Sequence, residues 1–302
     1  MSSDPIVSNL VCSDTSVRRA EPMFATGSQV RGWLLVEVRG SWGEDAIHAS
    51  ALGNHVPPHW KDDLRRRQIR AVCIRSHLRA EATDVRLFAC AARRPGKGSA
   101  PLWRRDVGSL ADVGAVADEL RVDKPPEVGW ERVQDSLILV CTNGRHDQCC
   151  ANLGRPLVRS LRDSRWAGRL WECSHIGGDR FAPNVVALPD SLYFGRVDPE
   201  SAPGLLAALD AGRIDLSRFR GRTSLMLAEQ AVEYFVRREL GIDAIDGVII
   251  DRRATDGSFP VLCADRQLHV RVQRQLVSVA EPLTCNGSTH QLIPMFTLES
   301  MA

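Results

Sequence analysis

Two short segments limit what this 302-residue chain can fold into more than any other feature. An apolar run, Leu137-Ile138-Leu139-Val140, ends in Cys141-Thr142-Asn143-Gly144-Arg145-His146-Asp147-Gln148-Cys149-Cys150. Further on, Leu170-Trp171-Glu172 runs into Cys173-Ser174-His175-Ile176-Gly177-Gly178-Asp179. A cysteine at a strand end, a glycine-containing loop and a second cysteine opening a helix place two thiols around one loop mouth. The second segment sets Cys173, His175 and Asp179 after another strand, where Gly177 and Gly178 let the backbone bend tightly toward a bound group. The chain must therefore bring two loops to one edge of an α/β layer.

The chain has nine cysteines, and Cys141, Cys149, Cys150 and Cys173 all fall between positions 141 and 173. An odd count in a chain of this size argues against a disulfide scaffold. Met1 to Arg19 contains Asp4 and Asp14 and no apolar core, so it reads as a disordered lead-in rather than a signal peptide. No run reaches the roughly 18–20 apolar residues of a membrane span. The expected setting is the cytoplasm, where free cysteines are small hydrophobes, ligands or nucleophiles. Cys73, Cys90 and Cys263 lie in apolar runs and read as core. A net charge of +2 gives no global reason to expect a nucleic-acid partner.

Trp33 to Val38, Ile69 to Ile74 and Val85 to Ala92 read as strands, and His55 to Gln68 and Leu110 to Leu120 as helices. Arg94 to Pro101 reads as a turn-rich loop, and Asp123-Lys124-Pro125-Pro126-Glu127 as a linker. Beyond it come a strand to Cys141, a helix from Ala151 to Leu161, a short strand at Leu170 to Glu172, and a hairpin of Asn184 to Leu188 with Leu192 to Val197. A helix over Ala202 to Ala211 follows. Thr223 to Leu240 is the clearest helix, with Thr223 as its cap and Gly241 as its stop. Asp246 to Val279 reads as three short strands. The fold class is α/β, with a lead-in over 1–19, an N-terminal α/β region over 20–122, a core domain over 130–222 and a C-terminal helix with a small β region over 223–302.

Thiolates suit zinc, copper(I) or iron–sulfur clusters, and imidazole suits iron and zinc. Two thiolates from one loop with imidazole from another match the donor mix of a two-cysteine, two-histidine [2Fe–2S] centre. The spacing is not that of a zinc ribbon. A phosphatase-type C-x₅-R cradle fails because the sixth residue after Cys141 is Asp147, whose charge would repel an oxyanion. Adjacent Cys149 and Cys150 make a poor reversible dithiol. A zinc-stabilised interaction module and a thiol-dependent redox enzyme using Cys149 or Cys150 remain alternatives. No paired-carboxylate site for glycoside hydrolysis stands out, and no G-x-G-x-x-G fingerprint marks a dinucleotide site.

The pair CTNGRHDQCC and WECSHIGGDRFAPNVVALPDSLYFGRV, with the upstream stretch EPMFATGSQVRGWLLVEVRGSWGEDAIHAS, resembles the sucrase/ferredoxin-like family, which includes fungal actin-patch-distal proteins and many actinobacterial members. The resemblance implies a thioredoxin-like ferredoxin domain in the second half, preceded by a smaller α/β region that reads as a degenerate, ligand-free thioredoxin-like layer. It also implies a [2Fe–2S] cluster bound by two cysteines and two histidines. Carried over by position, Cys141 matches the first cysteine, Cys150 the second with Cys149 as its neighbour and fallback, and His175 the first histidine. Asp179 stands where the second histidine would be. Asp179 itself, Cys173 or Cys285 then supplies the fourth bond. The resemblance implies an electron carrier or redox sensor with an unidentified redox partner; the near-neutral charge and the lack of a long apolar run lead us to expect no nucleic-acid or membrane partner. His48, His55, His59 and His77 read as surface or core residues, Arg65 to Arg67 as a solvated face, and Trp33, Trp42, Trp60 and Trp103 as packing. Arg180 and Arg196 are candidates for screening the cluster or docking an acidic partner.

Overall fold

The structure, a computed structural model, describes residues 12–302 apart from 99, 123, 125, 127 and 265. It begins with helix α1 (Cys12–Arg18), where the sequence led us to expect a disordered lead-in up to residue 19. Residues 1–11 of that expected lead-in, and the three residues 123, 125 and 127 of the expected linker, lie outside the described part. Helix α1 forms because Cys12, Ser13, Thr15 and Ser16 are all buried, so tertiary packing holds a segment whose composition is polar.

The strand β1 (Gly32–Glu37) is buried along its whole length. That is the expected behaviour of a continuous apolar run inside a sheet covered on both faces. Helix α2 (Trp60–Arg66) leads to β2 (Ile69–Arg75), parallel to β1. On the other side of β1 lie β3 (Val85–Ala91) and β4 (Leu102–Val107), both antiparallel to their neighbours. The β4 strand is absent from the sequence reading because its centre, Trp103-Arg104-Arg105-Asp106, is polar. Helix α3 (Val113–Asp118) and the edge strand β5 (Glu131–Val133) complete this unit.

The second unit repeats the order. Strand β6 (Leu137–Cys141) is followed by α4 (Gln148–Leu161) and β7 (Leu170–Cys173), with β6 and β7 parallel. Strands β8 (Val185–Leu188) and β9 (Leu192–Phe194) then add antiparallel on the far side of β6. Helix α5 (Ala202–Asp210) and edge strand β10 (Phe219–Arg222) close it. The whole is one ten-stranded sheet, ordered β10-β9-β8-β6-β7-β2-β1-β3-β4-β5. Read outward from the middle, β7-β6-β8-β9 and β2-β1-β3-β4 are the same thioredoxin-like order, joined where β2 and β7 run antiparallel. The thioredoxin-like layer expected in the first half is thus visible in the strand topology.

The C-terminal part packs α6 (Leu227–Leu240) on a second sheet of β11 (Ile249–Ile250), β12 (Phe259–Cys263), β13 (Arg266–Val279) and β14 (Gln291–Met301). Helix α6 starts four residues later than expected. Thr223 belongs to the chain leaving β10, where its hydroxyl donates to Val30 O at 3.3 Å, and Glu229 instead accepts the Met226 N–H at 2.8 Å. Gly241 ends the helix in the left-handed conformation, as expected. The three strands expected over Asp246 to Val279 are β11, β12 and β13, although β13 is fourteen residues long rather than short, and β14 follows as a fourth that the sequence reading lacked. Trp33, Trp42 and Trp60 are buried as expected, and Arg180 and Arg196 are half-buried and engaged within the chain. Arg180 pairs with Glu21 at 2.7 Å, and Arg196 donates to Ser16 O and Glu21 O, so both tie down the chain after α1.

Candidate metal centre

Strands β6 and β7 are parallel, with Cys141 and Cys173 facing each other at their C-terminal ends. The loops that follow them, 142–147 and 174–181, therefore open at one edge of the sheet, the place where α/β layers bind their ligands. Asp147 caps α4 by accepting the Cys149 N–H at 2.8 Å, which fixes Cys150 in the first turn. The helix can sit this close because position 154 is glycine: a Cβ there would lie 2.1 Å from Cys141 O.

The second loop is held from several sides. Ser174 donates its N–H to Cys73 O at 2.8 Å and accepts the Cys73 N–H at 3.1 Å. Arg70 donates to His175 O at 3.0 Å, and Tyr193 and Ser28 donate to Ile176 O at 2.9 and 3.1 Å. Asn143 in the first loop donates to Gly43 O at 3.2 Å. Both loops are thus buttressed by the N-terminal unit. Gly178 has φ of +81°, and a Cβ there would lie 2.3 Å from an Arg220 nitrogen, so no other residue fits. Arg220 is buried beneath the loop, donating to Gly177 O at 2.9 Å and Asn184 Oδ1 at 2.7 Å. Burial pushes its guanidinium down to about 10, and it leaves a cation under a site rich in anionic groups.

The loops bring Cys141, Cys150 and His175 together, with their ligand atoms within 4.8 Å of one another. Asp179 joins them: its Oδ1 lies 3.1 Å from Cys150 Sγ and 2.9 Å from His175 Nδ1. That nitrogen is paired with the carboxylate by charge, outside the direction of a strict hydrogen bond, so a soft cation between the thiols and the neutral imidazole could take its place. The donor set therefore fits a thiolate- and imidazole-bound metal.

The electrostatics agree. The Cys150 and Cys173 thiols and the His175 ring all stabilise the Cys141 thiolate, holding Cys141 well below the ordinary thiol range despite its burial. Cys150 moves the opposite way, because it faces the Cys141 thiolate and is itself desolvated. Burial alone would lower His175, but the Asp179 carboxylate and the Cys141 thiolate outweigh it and raise it to about 9. Burial pushes Asp179 up, yet His175 and Cys150 hold it below its usual range.

The remaining expected residues separate. Cys173 faces Cys141 across the strand pair and its thiol is among those that stabilise the Cys141 thiolate, but its sulfur falls outside the group formed by Cys141, Cys150 and His175. Cys149 and Cys285, the fallback and the third choice for a ligand, lie elsewhere: they form a second group with Cys12 and Asp147. Side chains at successive helical positions point about 100° apart, so Cys149 and Cys150 face different sites. His146 is the residue the sequence reading passed over. Its ring stacks on His175 with centroids 3.7 Å apart, and its Nε2 lies 3.9 Å from Asp179 Oδ2. The signal was present, since His146 is the one histidine in the Cys141–Cys150 loop.

The profile of the sucrase/ferredoxin-like proteins matches residues 23–221, which covers both thioredoxin-like units and both ligand loops. The chain belongs to the sucrase/ferredoxin-like family. Similar curated proteins named "altered inheritance of mitochondria protein 32" occur in yeasts. The Debaryomyces hansenii protein is 30% identical over 117 residues, covering 32% of this chain and 43% of that protein. The Candida glabrata protein is 28% identical over 109 residues, with 32% and 35% covered, and one from Saccharomyces cerevisiae is 31% identical over 100 residues, with 29% and 32% covered. This sucrase/ferredoxin-like chain thus spans less than half the length of the curated relatives it matches. No solved structure matches it. Among the described residues, no helix is long and apolar enough to cross a membrane.

Proposed function

We propose that this sucrase/ferredoxin-like protein is a one-electron carrier or redox sensor built around a [2Fe–2S] cluster held by Cys141, Cys150, His175 and Asp179. The observation that carries the reading is the convergence of two thiols, an imidazole and a buried carboxylate from two loops. Asp179 is preferred to Cys173 because its oxygen already touches both Cys150 and His175. When bound, the cluster supplies one reversible electron step, at a potential that histidine ligation raises above an all-cysteine centre.

The chain's own residues make the imidazole side the accessible one. Cys141 and Cys150 are buried, whereas the His175 and His146 side chains keep 25% and 31% of their surface exposed. Both rings line a cleft of about 810 Å³ that also carries Arg31, Lys61, Arg65, Arg70 and Arg94 against only Glu44 and Asp45. The redox partner is therefore expected to present an acidic surface there. Free thiols at all nine cysteines suit a reducing compartment such as the cytoplasm.

Anaerobically purified protein should contain iron and acid-labile sulfide in equal amounts and absorb between about 400 and 500 nm. Its potential should fall by about 59 mV per pH unit above the pKa of the ligating imidazole; a flat profile from about pH 6 to 10 would argue against histidine ligation. The closeness of the three ligand atoms favours one second reading, a single zinc ion in the same place. Colourless protein with zinc that is lost in Cys141→Ser would establish that reading instead.

A further inference from the structure

A second group of soft donors lies outside the centre just described. Cys12 opens α1, Cys149 sits in the first turn of α4, and Cys285 lies in the connection between β13 and β14. Their sulfurs form a triangle with edges of 3.6 Å (Cys12 to Cys149), 3.3 Å (Cys149 to Cys285) and 3.7 Å (Cys285 to Cys12). Asp147 stands on the same spot, its Oδ2 at 3.7 Å from Cys12 Sγ, and the four ligand atoms lie within 4.8 Å of one another. None of these cysteines is disulfide-bonded.

We infer that Cys12, Cys149, Cys285 and Asp147 bind one structural zinc ion. The spacing decides the class of ligand. Four bonds of about 2.3 Å at tetrahedral angles put neighbouring sulfurs about 3.8 Å apart, close to all three observed edges. A disulfide needs sulfurs about 2.05 Å apart and uses only two of them, whereas here the third is as near as the other two.

The surroundings suit thiolates. The Cys149 sulfur faces the Ser13 hydroxyl at 3.3 Å and sits at the positive end of the fourteen-residue α4. Asp147 already accepts the Cys149 N–H at 2.8 Å and the Cys285 N–H at 2.7 Å, so it fixes two of the three segments before any ion binds. Cys12, Cys149 and Asp147 are buried, and Ala182 and Leu153 close the apolar side. Zinc binding releases to solvent whatever protons the thiols still carry. The ion ties α1, the start of α4 and the C-terminal sheet together, one residue away from Cys150.

The test is metal analysis of the full chain, purified without chelator, alongside Cys285→Ser, Cys12→Ser and Cys141→Ser. About one zinc per chain is expected, persisting in Cys141→Ser and falling at least about tenfold in Cys285→Ser and Cys12→Ser, with iron unchanged in those two. Cys285 is half-exposed in a loop, so its variant should fold, which circular dichroism checks. Cobalt should replace the zinc and give the thiolate charge-transfer bands of a tetrahedral site, absent in Cys285→Ser. Zinc that follows Cys141 instead, zinc-free protein, or a Cys149–Cys285 disulfide in the isolated chain would overturn the proposal. Zinc following Cys285 in protein without iron would uphold it while removing the cluster reading.

Discussion

The two halves of the ten-stranded sheet share one strand order and differ at one corner. In the N-terminal unit, the central strand β1 ends at Glu37, a buried carboxylate that accepts from Arg79 Nε at 3.0 Å and from the Arg86 N–H at 3.0 Å, with Arg39 at 3.4 Å. In the second unit, the matching strand β6 ends at Cys141, which faces the Cys150 and Cys173 thiols and the His175 imidazole. The first corner is neutralised by its own arginines, all of which reach Glu37 Oε2, while Glu37 Oε1 has no hydrogen-bond partner. The second gathers thiols and an imidazole, whose buried Nδ1 is likewise without a hydrogen bond. One layer can therefore serve as scaffold or as site according to a few loop residues. The first unit's contribution is mechanical, since its β2 backbone and Arg70 hold the loop that carries His175.

The largest effect that would test this contrast is all-or-none. Cys141→Ser or His175→Ala should remove the iron, while Glu37→Gln should leave the iron content of folded protein unchanged. Equal iron loss in both corners would mean that the two units are not divided into scaffold and site. The second effect is in stability. Glu37→Ala strips buried guanidinium and amide groups of their acceptor and should cost about 2–4 kcal/mol in denaturant unfolding. In metal-free protein, Cys141→Ser should cost less, about 1 kcal/mol.

The sequence made the second unit readable and most of the first. Strands such as β1 and β6 are unbroken apolar runs, and the two loops carried residue types with few structural uses. What stayed hidden depends on distance along the chain. Cys12, Cys149 and Cys285 are separated by 136 and more positions, and no local pattern brings three such segments together. The strand β4 was hidden because a polar edge-side face carries no period. His146 was passed over because its partner ring comes from another loop, and α1 because its burial is supplied by residues from 147 onward.

A third, smaller effect concerns the junction of the two units. Ser174→Ala removes the acceptor of the buried Cys73 N–H and should destabilise by about 1–3 kcal/mol. Because Ser174 precedes His175, a chelator should also strip iron faster from this variant than from the wild type. If unfolding shifts but the rate of iron loss does not, the first unit supports the fold without steadying the site.

The smallest effect is a titration, and it addresses why the two corners differ in chemistry. In metal-free protein, His175 is held up at about 9 against an ordinary value of 6.5, with the Asp179 carboxylate and the Cys141 thiolate overcoming burial. A folded-state pKa above the unfolded one means that the pairing stabilises fully below about pH 6.5 and loses its contribution as pH rises through about 9. The imidazole C–H resonance of His175 should therefore titrate near 9, and in Asp179→Asn, where burial gains the upper hand, its midpoint should fall. Since a metal needs the neutral ring, metal affinity should rise with pH over the same window, and less steeply in Asp179→Asn. A His175 midpoint that stayed at the ordinary value in both proteins would show that the carboxylate and the ring are not coupled, and the second corner would then lose the feature that sets it apart from the first.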